Sequence, residues 1–201
     1  AGSSQLSKHR DQVPLIAVCH AGLTMMNAGP SRDFFATTHH TMLRRAAAII
    51  AVSRTVAESI ASGLPDSASL LRIIPNGADP ALFQVPASDT AALRKELGLT
   101  DKPILLYLGR VVKEKGGEDL LRAVAMLPEM TRPQVLIIGP GPYGSALRNI
   151  ASALALPLTL IPGVEHNQAP RHLSLADLFI LPSFHAEGLP FTLIEAMLAK
   201  R

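Results

Sequence analysis

The sequence predicts an α/β fold in which parallel strands are covered by helices on both faces. Three observations carry the prediction: short apolar runs that end in glycine, amphipathic stretches that follow them, and the alternation of the two from residue 70 onward. PILLYLG at 103–109 and PQVLIIG at 133–139 are apolar at consecutive positions, the pattern of strands buried on both faces. Leu120, Val124 and Leu127 repeat at helical spacing after the first run, and Leu147, Ile150, Ala151 and Leu154 after the second. Leu158–Ile161 and Leu178–Leu181 add two short strands. A last helix is expected from Pro190, a residue suited to a first helical turn, with Phe191, Ile194, Met197 and Leu198 on one apolar side.

The opening stretch repeats the theme on a smaller scale. VPLIAVCH at 13–20 and AAIIAVS at 47–53 read as strands on either side of a helix expected over Thr38–Ala48. A further helix from Ser53 to Ser62 has Ser53 to cap it, and Gly63 with Pro65 to end it. LLRIIPNGADPALF begins as a strand at Leu71–Ile74 and breaks at Asn76–Gly77, a turn-forming pair. A boundary near residue 70 is therefore expected, with one lobe at 1–69 and another at 70–201. The final helix reaches Lys200 and Arg201 without a stop signal, as expected of part of a longer protein.

Composition narrows the function classes. Of the 201 residues, 48% are hydrophobic and 17% charged, enough to build a core and too little charge for a disordered chain. The net charge of +3 is weak, the basic residues are scattered, and eight Phe and Tyr without Trp offer few stacking platforms, so no nucleic-acid partner is expected. Cys19 is the only cysteine, which excludes an intrachain disulfide and fits a reducing, cytoplasmic setting. No apolar run approaches the roughly 20 residues that cross a bilayer. The polar start AGSSQLSKHRDQ lacks the apolar centre of a signal peptide. The histidines show no metal-ligand spacing, His39 and His40 being adjacent and His166 and His172 six apart, so no metal is expected.

Three stretches at expected strand ends could carry chemistry. GPGPYG, through Gly139, Gly141 and Gly144, has the spacing of a dinucleotide fingerprint, which would suit an NAD(P)-dependent oxidoreductase; it equally suits a turn that lets strand and helix pack closely. Against the former, Pro140 and Pro142 remove two backbone donors, and no acidic residue ends the next strand. In LGRVVKEKG, Arg110 follows Gly109 directly out of the strand and Lys115 precedes a helix. The two cations could converge on a diphosphate, or could lie in a solvated loop with Lys113, Glu114 and Glu118. In PSFHAEGLPFTLIEAM, Glu187 and Glu195 could accept hydrogen bonds from sugar hydroxyls, or serve as a helix cap and an exposed side chain. His20 ends a strand, either as a polar group at a cleft or as a structural histidine.

The order and spacing of IIAVS, IIPNGADPALF, LLYLGRVVKEKG, VLIIGPGPYG, IPGV, ADLFILPS and EGLPFTLIEAM resemble the two-lobed (GT-B type) retaining glycosyltransferases of family 4, the group 1 glycosyl transferases. The resemblance implies Rossmann-like lobes, with a truncated donor-binding lobe at 70–201 and a remnant of the acceptor-side lobe at 1–69. It implies transfer of a sugar from a nucleotide sugar, such as a UDP or GDP sugar, to an acceptor hydroxyl with the anomeric configuration retained. No cofactor is implied. Arg110 and Lys115 match the basic pair on the diphosphate, Glu195 the glutamate on the ribose, and Glu187 the one that orients the transferred sugar, so Glu187, Arg110 and Lys115 are the implied catalytic residues. Gly109 and Leu189 flank these matches, Gly163 and Val164 correspond to the rim where the base sits, and His20 falls on the acceptor side. Pro190 replaces a frequent glycine of the family, which leaves the backbone of Phe191 and Thr192 as donors. The implied acceptor is a carbohydrate or a lipid-linked one, with peripheral contact at the inner membrane face in the full-length protein. A non-catalytic module that kept the fold is the alternative.

Overall fold

A computed structural model describes residues 14–21, 40–184 and 186–201. Val13, Thr38 and His39, which belong to two of the expected elements, lie outside the described residues. Contacts divide the chain into two units: the described residues up to Asn76 together with Ala186–Leu189, and Gly77–His185 together with Pro190–Arg201.

The first unit holds a parallel sheet in the order β1 (Ile16–Cys19), β2 (Ala48–Ala51), β3 (Leu71–Ile73). Ile16 pairs with Ala48, and Ile49 with Leu71. Residues 40–44 are helical, but Ala48, expected to end that helix, already pairs in the sheet. Helix α1 (Arg54–Gly63) starts where the sequence predicts, Ser53 Oγ accepting from Val56 N at 3.3 Å. Its Val56 and Ile60 join Leu43 and Ile49 in a core from which water is excluded. Each such side chain contributes about 1.5–3 kcal/mol by burial. The stretch 186–189 returns to this unit: Asn76 Nδ2 donates to the Leu189 carbonyl at 2.8 Å, and a Cβ on Gly188 would collide with the His20 carbonyl oxygen.

The second unit is a four-stranded parallel sheet in the order β6 (Leu158–Ile161), β5 (Gln134–Ile138), β4 (Ile104–Leu108), β7 (Leu178–Phe179). Every residue of β4 and β5 is buried, as their unbroken apolar runs require. Alternate residues face opposite sides. Ile104, Leu106, Leu136 and Ile138 pack with Leu93, Leu173 and Ala196, from helices α2 (Ala87–Glu96), α5 (Ala169–Leu173) and α6 (Phe191–Leu198). Leu105, Tyr107, Val135 and Ile137 pack with Leu121, Val124, Leu147 and Ala151, from α3 (Gly117–Ala125) and α4 (Gly144–Ala153). The chain steps from β4 outward to β6 and then crosses to β7 on the other side. That reversal opens a crevice at the carboxyl ends of the strands, the usual ligand position in such sheets.

Three local expectations change. Leu127 lies beyond the end of α3 and is 42% exposed. Strand β7 is a two-residue edge, shorter than Leu178–Leu181, with Leu178 exposed. Helix α6 turns Glu195 and Ala196 inward and leaves Phe191 and Met197 in solvent, because the side facing the sheet contains the carboxylate rather than the expected apolar row.

GPGPYG resolves as a close-packing device. Gly139 and Gly141 have φ of 153° and 156°, and a Cβ on either would collide with a carbonyl oxygen, of Gly109 or of Val111 respectively. This close approach lets the loops leaving β4 and β5 bond to each other, Gly109 N to Ile138 O at 2.9 Å, Val111 N to Pro140 O at 2.7 Å and Tyr143 N to Val111 O at 3.1 Å. Tyr143 Oη also donates to Glu118 Oε2 at 2.7 Å, tying α3 to the loop. That hydrogen bond and a second from Arg122 hold the Glu118 carboxyl below the ordinary range. We expect Gly139→Ala to lower unfolding free energy by about 2–3 kcal/mol, read as a fall in the urea midpoint. Gly77→Ala, with open space around the added methyl, should leave the midpoint nearly unchanged; equal midpoints for the two variants would refute the packing role.

Candidate functional site

The carboxyl ends of β4, β5 and β6 each deliver residues to one concavity: Gly109 and Arg110, Gly139 and Pro140, Gly163 and Val164. The first turns of α5 and α6 face them, and a short helical turn at Pro80–Phe83, packed on both helices, closes the side. The cavity has a volume of about 730 Å³, within the roughly 300–1,000 Å³ typical of small-molecule sites. Most of the lining is apolar, including Phe83, Val164 and Pro170, and a few polar groups are set into it.

Arg110 is held by its backbone, the Tyr107 hydroxyl donating to its carbonyl at 2.8 Å, while its guanidinium has no ion pair among the described residues. Asp79 spends Oδ1 on Ala81 N at 2.9 Å, the bond that starts the Pro80–Phe83 turn. Glu195 is the unusual group. It is 3% exposed and lines the cavity, yet its carboxylate receives no hydrogen bond from the described residues. Among the described residues its one ionisable neighbour within ion-pair distance is His166, with Nδ1 3.9 Å from Oε1 and a side chain 85% exposed. Burial pushes the Glu195 carboxyl above its ordinary value, and His166 opposes the shift. Helix α6 has no side-chain cap, and its first residues Phe191 and Thr192 line the cavity, so its amino end opens on the same space.

Of the residues singled out in the sequence, Gly109, Arg110, Gly163, Val164, Phe191, Thr192 and Glu195 meet in this cavity. The reading of Glu195 as an exposed side chain is overturned by its burial. Lys115 does not line it; it sits in the turn Lys113–Lys115 ahead of α3, a turn braced by Phe184 N donating to the Glu114 carbonyl at 3.2 Å. Glu187 and Leu189 lie in the stretch that packs with the first unit, where Gly188 lies against the His20 backbone. Sequence reasoning missed His166, Asn167 and the Gly77–Phe83 wall. The available signals were the position of His166 just past a strand's carboxyl end, and two apolar residues, Leu82 and Phe83, directly after a turn. Among the described residues no three His, Cys, Asp or Glu side chains gather as a metal-ligand set.

Comparison with known proteins agrees with this architecture. Residues 89–200 match the family model of glycosyl transferases group 1, and residues 2–82 that of Glycosyltransferase Family 4. The chain belongs to the group 1 glycosyl transferases. It is 33% identical over 172 residues to a GDP-mannose-dependent alpha-(1-6)-phosphatidylinositol monomannoside mannosyltransferase of Mycolicibacterium smegmatis, covering 78% of this chain and 44% of that one. The fold is similar to Anabaena Alr3699/HepE, solved in complex with UDP and glucose, at a TM-score of 0.82 and 21% identity over 98% of this chain and 54% of that one. It is also similar to sucrose-phosphate synthase of Thermosynechococcus elongatus, at a TM-score of 0.74 and 26% identity over 96% and 50%. The chain spans about half the length of the curated relatives it matches.

The raised Glu195 carboxyl has a consequence for stability. The folded chain binds that proton more tightly than the unfolded chain, so ionisation costs folding free energy. The cost is absent below the ordinary glutamate pKa of about 4.3, grows as pH rises through the raised value, and is constant above it. Glu195→Gln cannot ionise and is expected to melt a few degrees above wild type at neutral pH. The gap should close as the buffer is taken down toward about pH 4. A thermal-melt series over that range checks it, and a wild type as stable as the variant at neutral pH would contradict the assignment.

Proposed function

We propose that this chain is the donor-binding part of a retaining glycosyltransferase that moves a sugar from a nucleotide sugar to an acceptor hydroxyl. The observation that carries the reading is one cavity, at the carboxyl edge of a reversing parallel sheet, that holds both a guanidinium without an ion pair among the described residues and a buried carboxylate. Family membership supports it. In this reading residues 70–201 bind the donor and residues 1–69 belong to the acceptor side.

The demanding event in such a transfer is departure of the nucleoside diphosphate, when negative charge gathers on its oxygens and positive character on the anomeric carbon. Arg110 presents a planar fork to those oxygens from a strand end, and Lys115 adds a mobile charge from the neighbouring loop. The amino end of α6 supplies partial positive charge, with Phe191 and Thr192 main-chain groups nearest the diphosphate, and Leu189 is assigned to donor binding from the family resemblance. Glu195 accepts hydrogen bonds from the ribose hydroxyls, which offset the cost of burying its charge. Gly109 lets the diphosphate approach the end of β4, and the backbone at Gly163 and Val164 borders the base. Glu187 orients the sugar, and His20 lies on the acceptor side. No residue is assigned as a covalent nucleophile.

The acceptor we assign is a carbohydrate or lipid-linked alcohol, supported by the phosphatidylinositol monomannoside in the name of the mycolicibacterial relative. No described helix is long and apolar enough to cross a membrane. With a lone buried thiol at Cys19, we place the enzyme in the cytoplasm, peripheral at the inner membrane face when the acceptor is lipid-linked. The test is calorimetric titration of UDP and of GDP into the chain. Arg110→Ala is expected to weaken binding about 10- to 100-fold, the range for losing charge-assisted hydrogen bonds, and Lys115→Ala less. Undiminished affinity in both variants would reject their roles. In the full-length protein, mass spectrometry should detect transfer from a nucleotide sugar to an acceptor hydroxyl, and its absence across a UDP- and GDP-sugar panel would reject the activity.

A further inference from the structure

We propose that His166 is a positioning residue for Glu195: from the rim of the cavity its imidazole holds the buried carboxylate in the charged, acceptor form that a vicinal diol requires. The inference rests on the reading of the cavity as a donor site and adds a residue with no role there so far.

A carboxylate withdrawn from water and given no hydrogen bond tends to take up a proton and become a donor in its turn. Glu195 is in that position, 3% exposed and without a donor among the described residues. Protonated, it would present an O–H to the two ribose hydroxyls where acceptors are needed, and one of the two hydrogen bonds to a diol would be lost. A nearby cation prevents this. The charged and titratable groups on the elements around Glu195 are few. Arg171 on α5 pairs with Glu96 at 3.6 Å. His172 on α5 engages the Gln168 carbonyl through Nδ1 at 2.8 Å. Asp79, before the Pro80–Phe83 turn, is acidic and engaged at Ala81 N. Lys200 and Arg201 follow α6, and Arg201 donates to the Ser174 carbonyl at 2.8 Å. Arg110 lines the cavity without an ion pair to Glu195. Among the described residues that leaves His166, 3.9 Å away, as the partner.

The distance suits an electrostatic role better than a direct one. At 3.9 Å the pair lies beyond hydrogen-bond reach, so the carboxylate lone pairs stay open to the ligand while the imidazolium charge stabilises them.

The test is calorimetric titration of UDP and GDP, each with its 2′-deoxy counterpart, into wild type, His166→Ala, His166→Lys and Glu195→Gln over about pH 5 to 8, the span in which histidines titrate. For His166→Ala we expect affinity about two- to fivefold weaker than wild type at the acid end, the scale of a partly exposed ion pair, converging on wild type at the alkaline end. The loss should be confined to the ribonucleotides. His166→Lys should restore the acid-side affinity and extend it across the range, and Glu195→Gln should remove the preference for ribose over deoxyribose and the pH dependence with it. His166 is exposed, so a melting temperature equal to wild type should confirm that its variants fold. Superimposable pH profiles for wild type and His166→Ala, or a loss equal at every pH and shared by the deoxynucleotides, would overturn the positioning role while leaving the donor site intact. Failure of wild type to bind either nucleotide would overturn both.

Discussion

The cavity depends on main-chain hydrogen bonds between two loops. Val111 N to Pro140 O, Gly109 N to Ile138 O and Tyr143 N to Val111 O extend the pairing of β4 and β5 past the last strand residue. Ordinary strand exits diverge, since each loop must turn toward its own helix. Here the loops stay in register for several residues, which fixes Arg110 at a strand end instead of leaving it on a free loop. The arrangement demands that side chains be absent at Gly139 and Gly141, whose added Cβ atoms would strike the opposing carbonyls. A glycine pattern with dinucleotide spacing therefore serves the neighbouring strand. The two prolines that spoil it as a phosphate cradle are compatible with this job, because the Pro140 contribution is a carbonyl.

On that frame the chain places a group that works against folding. Glu195 occupies a position in α6 where the inward face would otherwise be aliphatic, between the buried Ala196 and the cavity. Removing a carboxylate from water without a donor costs more than a neutral amide would, and the upward shift of its proton affinity reports that cost. In the proposed donor site the stability given up is recovered when hydroxyl donors enter. Such a residue discriminates sharply, because a ligand that lacks those hydroxyls leaves the charge uncompensated.

The fold was legible because parallel strands buried on both faces leave an unmistakable trace: β4 and β5 have no polar position except Gln134, and both are wholly buried. Arg110 and Glu195 could be marked because motifs that follow strand ends carry them, and Gly163 and Val164 only because the family resemblance implies them. Residues 77–83 could not be, since Asn76–Gly77 reads as a turn and nothing in Pro80–Phe83 says which surface the turn covers. The inward face of α6 was misjudged for a related reason. Helical periodicity favours the apolar row through Phe191 and Met197, whereas the sheet selects the row through Glu195 and Ala196. His166 is not marked by the sequence, because histidine spacing speaks only to metals and the neighbouring carboxylate lies nearly thirty residues away.

Charge separation within the cavity decides which ligands suit it. Arg110 and Glu195 line the same space without forming an ion pair, so neither charge is consumed by the other. A purely anionic ligand, such as inorganic diphosphate, would satisfy Arg110 and leave Glu195 buried and unpaired, with added repulsion. A neutral sugar would satisfy Glu195 and leave the cation idle. A nucleoside diphosphate offers both an anion and a vicinal diol on one framework, with a flat apolar base for the wall of Phe83, Val164 and Pro170. In the proposed donor site the opposed side chains would favour a composite molecule over either of its parts. The selection there is strongest when Glu195 is charged, and His166 is the side chain placed 3.9 Å from that carboxylate.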